Sequence, residues 1–209
     1  MKILIFGASG ATGHNLVSQA IIQKHIVSAF VRSPSNLKID SDKIRIVKGN
    51  VIDYETVANA VTNQDAVLSA LGASGPFRRD YTLITGVQNI TRAMMERGVR
   101  RFIYQSYLGV KEDRRELGFV INYILPIVLR NIILDHEAKE SIIVNSDIDW
   151  TIVRCPILTN GSFTGSYRDG EHVTSTSLLP AISRADVAEF MLKQLADDKY
   201  LDKKPRILR

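Results

Sequence analysis

Gly7, Gly10 and Gly13 stand three apart in GASGATG, and this is the spacing in the chain that first suggests chemistry. They follow the apolar run KILIF (2–6) and precede Leu16, Val17, Ala20 and Ile21 at helical spacing. A strand that turns directly into a helix presents backbone N–H groups at the positive end of that helix, a place for an anion. In such a turn Gly7 permits the bend, Gly10 admits a pyrophosphate to the backbone, and Gly13 lets the helix pack on the sheet. Ser9, Ala11 and Thr12 complete the turn. Ser9 and Thr12 could add hydroxyl contacts to phosphate, and Thr12 is equally placed to cap the helix. The spacing is Gly-x-x-Gly-x-x-Gly rather than the Gly-x-Gly-x-x-Gly of many dinucleotide sites.

The adenosine ribose of a dinucleotide would meet the end of the second strand. An acidic residue there suits a free 2′-hydroxyl, and an arginine suits a 2′-phosphate. The sequence reads AFVRSPSN, with Arg32 and Ser33 and no carboxylate. Arg32 can pair a phosphate bidentately and Ser33 can donate to it. NADP(H) is therefore expected over NAD(H).

Other reactive types are sparse. The single cysteine, Cys155, excludes an intrachain disulfide and suits a reducing compartment. It lies in the apolar run TIVRCPIL, as a small hydrophobe rather than a nucleophile. His14, His25, His136 and His172 are scattered without metal-ligand spacing, so no metal is expected. The net charge of +5 is spread along the chain, apart from RGVRR (97–101) and the tail DKKPRILR, and does not call for nucleic acid. The apolar stretch 119–134 is interrupted by Asn122, Pro126, Arg130 and Asn131 and is shorter than a membrane span. It reads as a buried or pocket-lining helical region that is a pocket wall, a lid or a dimer surface. With no signal-peptide core at its start, the protein is expected to be cytoplasmic, with neither nucleic acid nor membrane as partner, and monomeric or dimeric.

Strands and helices must alternate to position these residues. Strands are expected at 2–6, 26–32, 43–49, 65–72, 100–106 and 150–154, and helices from Thr12, at 54–61 with Asp53 as N-cap, at 81–97, and over DHEAKESIIVNSDIDW. Residues 164–177 read as two short strands around Asp169-Gly170, a hairpin signal. Ser183 and Asp186 form a capping box ahead of VAEFMLKQLAD. The pattern specifies an α/β class, a Rossmann-like doubly wound parallel sheet. Residues 1–209 make a single domain, with substrate-side segments at about 107–135 and 157–182.

The motifs GASGATG, VRSPSNL, GNVIDYETVANAV, DAVLSALG, DHEAKE, SDIDWTIVRCPILT, FTGSYR and ISRADVAEFML together resemble the atypical short-chain dehydrogenase/reductase proteins of the NAD(P)H-binding, NmrA-like type, in the branch of flavin reductases and biliverdin-IXβ reductase-like enzymes. The resemblance implies that Asn50, Val51 and Asp53 border the adenine and that Ala70, Leu71 and Gly72 line the cofactor beside the glycine turn. It places Ser106 near the nicotinamide, with Arg154, Cys155, Pro156 and Ile157 flanking the carboxamide. Arg-Cys-Pro stands where the family usually has Arg-Pro-Pro.

Short-chain dehydrogenases that act on alcohols use a serine with Tyr and Lys four apart on a helix, the lysine lowering the tyrosine pKa. Counted back from DIDW, the family's Glu falls on Glu140, its Lys on His136 and its Tyr on Ile132. The biliverdin branch often carries a histidine where this chain has Ile157. What remains is hydride transfer to an acceptor needing little acid help, a flavin such as FMN or a quinone-like, small planar molecule. Ser106 and His136 are the candidate catalytic helpers. Ser106 either bonds the nicotinamide or an acceptor carbonyl, or bonds backbone; His136 either bonds the nicotinamide ribose or pairs with Glu140. Asp135, Glu137 and Glu140 are expected on a solvated helix face. Phe77, Tyr107, Phe119, Tyr123 and Phe163 are candidates to stack on the acceptor, and Arg78 and Arg79 to meet its phosphate or carboxylate. The alternative is a non-catalytic redox sensor that binds NADP(H) and regulates a protein partner.

Overall fold

In KILIF the period-2 alternation of a strand divides the residues between two cores. Ile3 and Ile5 join one apolar cluster, while Leu4 and Phe6 join the other on the opposite face. The computed structural model describes residues 1–34, 37, 43–72, 79–110 and 117–209. Its first half runs β1 (Lys2–Phe6), α1 (Ala11–Ile22), β2 (Ile26–Val31), β3 (Ile44–Lys48), α2 (Tyr54–Val61), β4 (Ala66–Ser69), α3 (Tyr81–Arg97) and β5 (Arg101–Tyr107). A π-helical turn (Val120–Ile124) then leads into α4 (Leu125–Val128), α5 (Arg130–Val144) and β6 (Asp149–Cys155). The chain continues through β7 (Ile157–Thr159), β8 (Arg168–Gly170), β9 (Ala181–Ser183), α6 (Arg184–Lys193), a 3₁₀ turn at Asp198–Tyr200 and β10 (Arg206–Leu208).

The main sheet has the order β3-β2-β1-β4-β5-β6-β10-β8, with β1 to β6 all parallel. The order reverses between β1 and β4, the switch point where doubly wound sheets open a crevice at their C-terminal edge. On one face α1 and α6 pack together over Ile3, Ile5, Ala29, Leu68, Ile103 and Val153. On the other, α2, α3 and α5 cover Leu4, Phe6, Phe30, Val67, Phe102 and Ile152. The same alternation sends Tyr104 and Ser106 of β5, and Arg154 of β6, to the α3/α5 face, with Ser106 directly opposite Arg154 in the ladder.

Asp53 caps α2, its side chain accepting from the Thr56 N–H, and Ser183 caps α6 by accepting from the Asp186 N–H, as the sequence indicated. One expectation is corrected. No hairpin forms at Asp169-Gly170: β8 pairs instead with β10, antiparallel, so strand Arg206–Leu208 comes from the tail that looked merely basic. Ile157–Thr159 pairs with Ala181–Ser183 in a separate two-stranded sheet. In the apolar stretch 119–134 the pocket-lining alternative holds: Ile121 and Leu125 line a cleft, Ile121 and Ile133 alone are buried, and Phe119, Tyr123, Ile124, Ile127 and Val128 are exposed.

Candidate functional site

The turn after β1 is closed by its own backbone. Gly7 adopts φ +76°, in the left-handed region, and the Gly10 N–H donates to the Gly7 carbonyl at 2.9 Å. A Cβ on Gly7 would lie 2.7 Å from the Ala70 carbonyl oxygen, and one on Gly13 only 2.0 Å from the Gly7 oxygen. The first contact brings the end of β4 against the turn; the second brings α1 hard onto it. Gly10 is the N-cap of α1, with no side-chain cap and no acidic residue in the first turn. Thr12 therefore does not cap the helix, and its side chain is buried. Ser9, Gly10 and Ala11 are exposed. A helix N-terminus with uncapped N–H groups beside a glycine that leaves its front open fits a pyrophosphate.

Around that turn, Arg32 is exposed at the end of β2 with Ser33 beside it. Asn50 is exposed, Val51 is buried against Gly86, and the Val51 carbonyl accepts from Asn89 Nδ2 at 2.9 Å, tying this loop to α3. Asp53 is committed to the α2 cap, with its second oxygen accepting from Thr56 Oγ1 at 2.6 Å; this bond and the Thr56 N–H hold its carboxyl below the usual range. Ala70 and Leu71 are half-buried and Gly72 is exposed. The glycine turn and the ends of β2, β3 and β4 thus share one edge of the sheet.

At the same edge, Ser106, His136, Glu140 and Arg154 meet. Ser106 Oγ donates to Glu140 Oε1 at 2.5 Å and lies 3.2 Å from His136 Nδ1. Arg154 grips the same carboxylate, Nη2 on Oε2 at 2.6 Å and Nε on Oε1 at 3.3 Å, with both side chains at most 5% exposed. Lys204 Nζ stands 4.0 Å from Oε2. Spacing on α5 explains the meeting: His136 and Glu140 are one turn apart and face β5 and β6 together. Burial pushes the His136 imidazole well below its ordinary value, and the charge of Lys139 pushes it the same way. At neutral pH the ring is uncharged.

A second row of α5, Asp135 and Lys139, faces α3. Asp135 accepts from Arg79 Nε at 2.9 Å and from the Asp80 N–H at 2.7 Å, so Arg79 is paired within the protein. Burial lowers the Lys139 ammonium to about 8, against the opposing pull of Asp135, Asp80 and Glu140. The Tyr104 hydroxyl is buried with no hydrogen-bond partner among the described residues; burial, then Glu140 and Asp135, push its pKa well up. Asp135 and Glu140 are thus buried, 2% and 4% exposed, and not on a solvated face. Their roles and that of Lys139 were missed because nothing in the local pattern of α5 shows which cations lie opposite.

Beside this group, Tyr107 is half-buried, its ring centroid 6.3 Å from that of His136. With Leu108, Ile121, Leu125, Pro156, Ile157, Leu179 and Pro180 it lines a narrow apolar cleft. Cys155 and Pro156 are buried and Ile157 is exposed. Burial raises the Cys155 thiol far above its usual value, which leaves it inert. Tyr123 and Phe163 are exposed, Tyr123 against Phe119 with centroids 5.1 Å apart. The loop carrying Phe163 is fastened through Asp186, whose carboxylate accepts from the Thr164 and Gly165 N–H groups at 2.7 and 2.9 Å. Phe77 and Arg78 lie outside the described residues. A Tyr-x-x-x-Lys spacing does occur twice, at Tyr107–Lys111 and Tyr200–Lys204, but neither is on α5. Tyr107 ends a strand, and the Tyr200 hydroxyl is bonded to Asp169.

Comparison with known proteins bears on the fold and the family. The chain is 26% identical to the photosystem II assembly factor Ycf39 of a Synechocystis species, over 97% of this chain and 61% of that one, so it spans less than two thirds of that relative. Among solved structures, the oxidoreductase ylbE of Lactococcus lactis superposes with a TM-score of 0.83 at 19% identity, covering 99% of this chain and 90% of that one. ChuY of Escherichia coli O157:H7, described as an anaerobillin reductase, gives 0.78 at 19% identity over 99% and 96%. At these identities the two structures share the fold. A family model described as NAD(P)H-binding matches residues 7–198, from the glycine turn through α6. The sheet order, which reverses between β1 and β4, and the match across almost the whole chain lead to one conclusion: this Rossmann-fold protein belongs to the NAD(P)H-binding family.

Proposed function

We propose that the protein is an NADPH-dependent reductase that delivers hydride to a flavin or quinone-like acceptor in the cytoplasm. The observation that carries this reading is the makeup of α5 at the active edge. Ile132 and His136 stand where alcohol-acting relatives have tyrosine and lysine, and the Ser106 proton is held by Glu140. Such a site orients and shields the reactants without acid help, which suits acceptors that take their protons from solvent. The family resemblance and the reductase described for ChuY support the same chemistry.

In this reading Gly7, Ser9, Gly10, Ala11, Thr12 and Gly13 hold the pyrophosphate, and Arg32 with Ser33 selects the 2′-phosphate. Asn50, Val51 and Asp53 border the adenine, and Ala70, Leu71 and Gly72 line the next stretch of cofactor. Ser106, Arg154, Cys155, Pro156 and Ile157 surround the nicotinamide, which when bound supplies the hydride. Tyr107, Tyr123 and Phe163 provide the apolar wall for a planar acceptor, with Phe77, outside the described residues, as a further candidate.

The test follows absorbance at 340 nm with purified protein and NADPH, with and without FMN or a small quinone, and with NADH in parallel. Acceptor-dependent oxidation that favours NADPH is the expected result. A second reading, a redox sensor acting through a protein partner, is favoured by the exposed apolar face Phe119, Tyr123, Ile127 beside the cleft. NADPH binding without oxidation of any acceptor would overturn the reductase in favour of that reading.

A further inference from the structure

Ser106 has one proton and two partners. Glu140 is ion-paired to Arg154 through both Nη2 and Nε, so it is a carboxylate and can only accept. At 2.5 Å it takes the Ser106 proton. Only lone pairs then remain on Oγ for His136, and the 3.2 Å contact to Nδ1 is a hydrogen bond only if Nδ1 carries the hydrogen. Burial and the charge of Lys139 keep the ring to a single proton at neutral pH. With that proton on Nδ1, Nε2 is bare. The ring is half-buried, with Nδ1 engaged by Ser106 Oγ.

We propose that the Arg154–Glu140–Ser106 chain fixes His136 as its Nδ1–H tautomer, so that the site offers a ligand an unprotonated Nε2 that selects an alcohol or diol hydroxyl and cannot protonate a carbonyl. Arg154 and Glu140 are positioning residues in this arrangement, acting through Ser106. Ser106 has no proton to give a ligand either. A sugar hydroxyl can donate to Nε2, whereas a ketone or amide oxygen placed there would face a lone pair. The tautomer stands on the network alone; its use toward a ligand rests on the reading that a dinucleotide reaches this edge of the sheet.

The experiment is long-range ¹H–¹⁵N spectroscopy of the full chain with ¹⁵N-labelled histidine, the His136 signals assigned by their loss in His136→Asn. In the wild-type protein between about pH 6 and 8, Nδ1 is expected to be protonated and Nε2 bare, opposite to the Nε2–H form that free imidazole side chains favour. Ser106→Ala is expected to return the ring to the Nε2–H form. Saturating NADP⁺ is expected to shift the Nε2 resonance in the direction of an accepted hydrogen bond. A wild-type spectrum showing Nε2–H, or a doubly protonated ring, overturns the proposal without any variant. An unchanged tautomer in Ser106→Ala overturns the role of the chain, and an Nε2 resonance unmoved by bound NADP⁺ overturns its use toward that ligand. Failure of the reductase reading is seen separately, as absence of acceptor-dependent oxidation in protein whose tautomer is as proposed.

Discussion

Lys139 lies 2% exposed with its ammonium lowered to about 8, chiefly by burial. In the unfolded chain a lysine titrates near 10.4. Below about pH 8 both states are protonated and the full cost of burying the charge is present. Between about 8 and 10.4 the unfolded state holds a proton that the folded state has released, so stability rises with pH there. Lys139→Met is therefore expected to stabilise the fold by about 2–3 kcal/mol at pH 7, a gain that fades toward pH 10. Urea melts across that range measure it, and a gain independent of pH counts against the assignment. At the opposite end of the site, Arg32→Ala is expected to weaken NADPH binding by about 10- to 100-fold, the size of a lost charge-assisted contact. NADH affinity should change by less than about twofold. Equal losses in a fluorescence titration of both cofactors would remove Arg32 from the 2′-phosphate site.

At the scale of elements, the β1–α1 turn was readable because its constraints are local. Three glycines, a short apolar run before them and a helical repeat after them already imply the close approaches found at Gly7 and Gly13. Gly13→Ala tests that approach. Its Cβ would press on the Gly7 carbonyl oxygen, so α1 must move off the sheet, at a cost of about 2–3 kcal/mol and with loss of NADPH binding. A variant that melts like wild type and still binds NADPH would show that the turn tolerates a side chain. Helix α5 was legible as a helix but not as a polar bridge. Asp135, Lys139 and Glu140 look like a solvated face in sequence, and they are buried only because Arg79 and the Asp80 N–H reach Asp135 while Ser106 and Arg154 reach Glu140. Those partners lie 14 to 56 residues away in the chain. Strands β8 and β10 escaped for the same reason. Three residues each, they carry no alternation of their own and exist by pairing, β10 with β6 and β8 with β10.

Across the whole molecule, the sheet collects the ends of β1, β2, β4, β5 and β6 along one edge, with the glycine turn at its centre and the Ser106–His136 group to one side. The two cores back this edge from either face, so the glycine-turn half is built into the sheet itself. The half that carries the apolar cleft is attached differently. Helix α5 is bound through Glu140 to β5 and β6 and through Asp135 to the start of α3, but the π-helical turn and α4 immediately before it bury only Ile121. Anchored and unanchored segments thus meet at Leu129, inside an almost continuous helical run. Amide hydrogen exchange should register that junction as a step. Backbone N–H groups of 120–128 should exchange at least about 100-fold faster than those of 133–143, through local opening that leaves α5 intact. The wall of the cleft would then open and close on its own clock, many times for each unfolding of the sheet that holds the glycine turn.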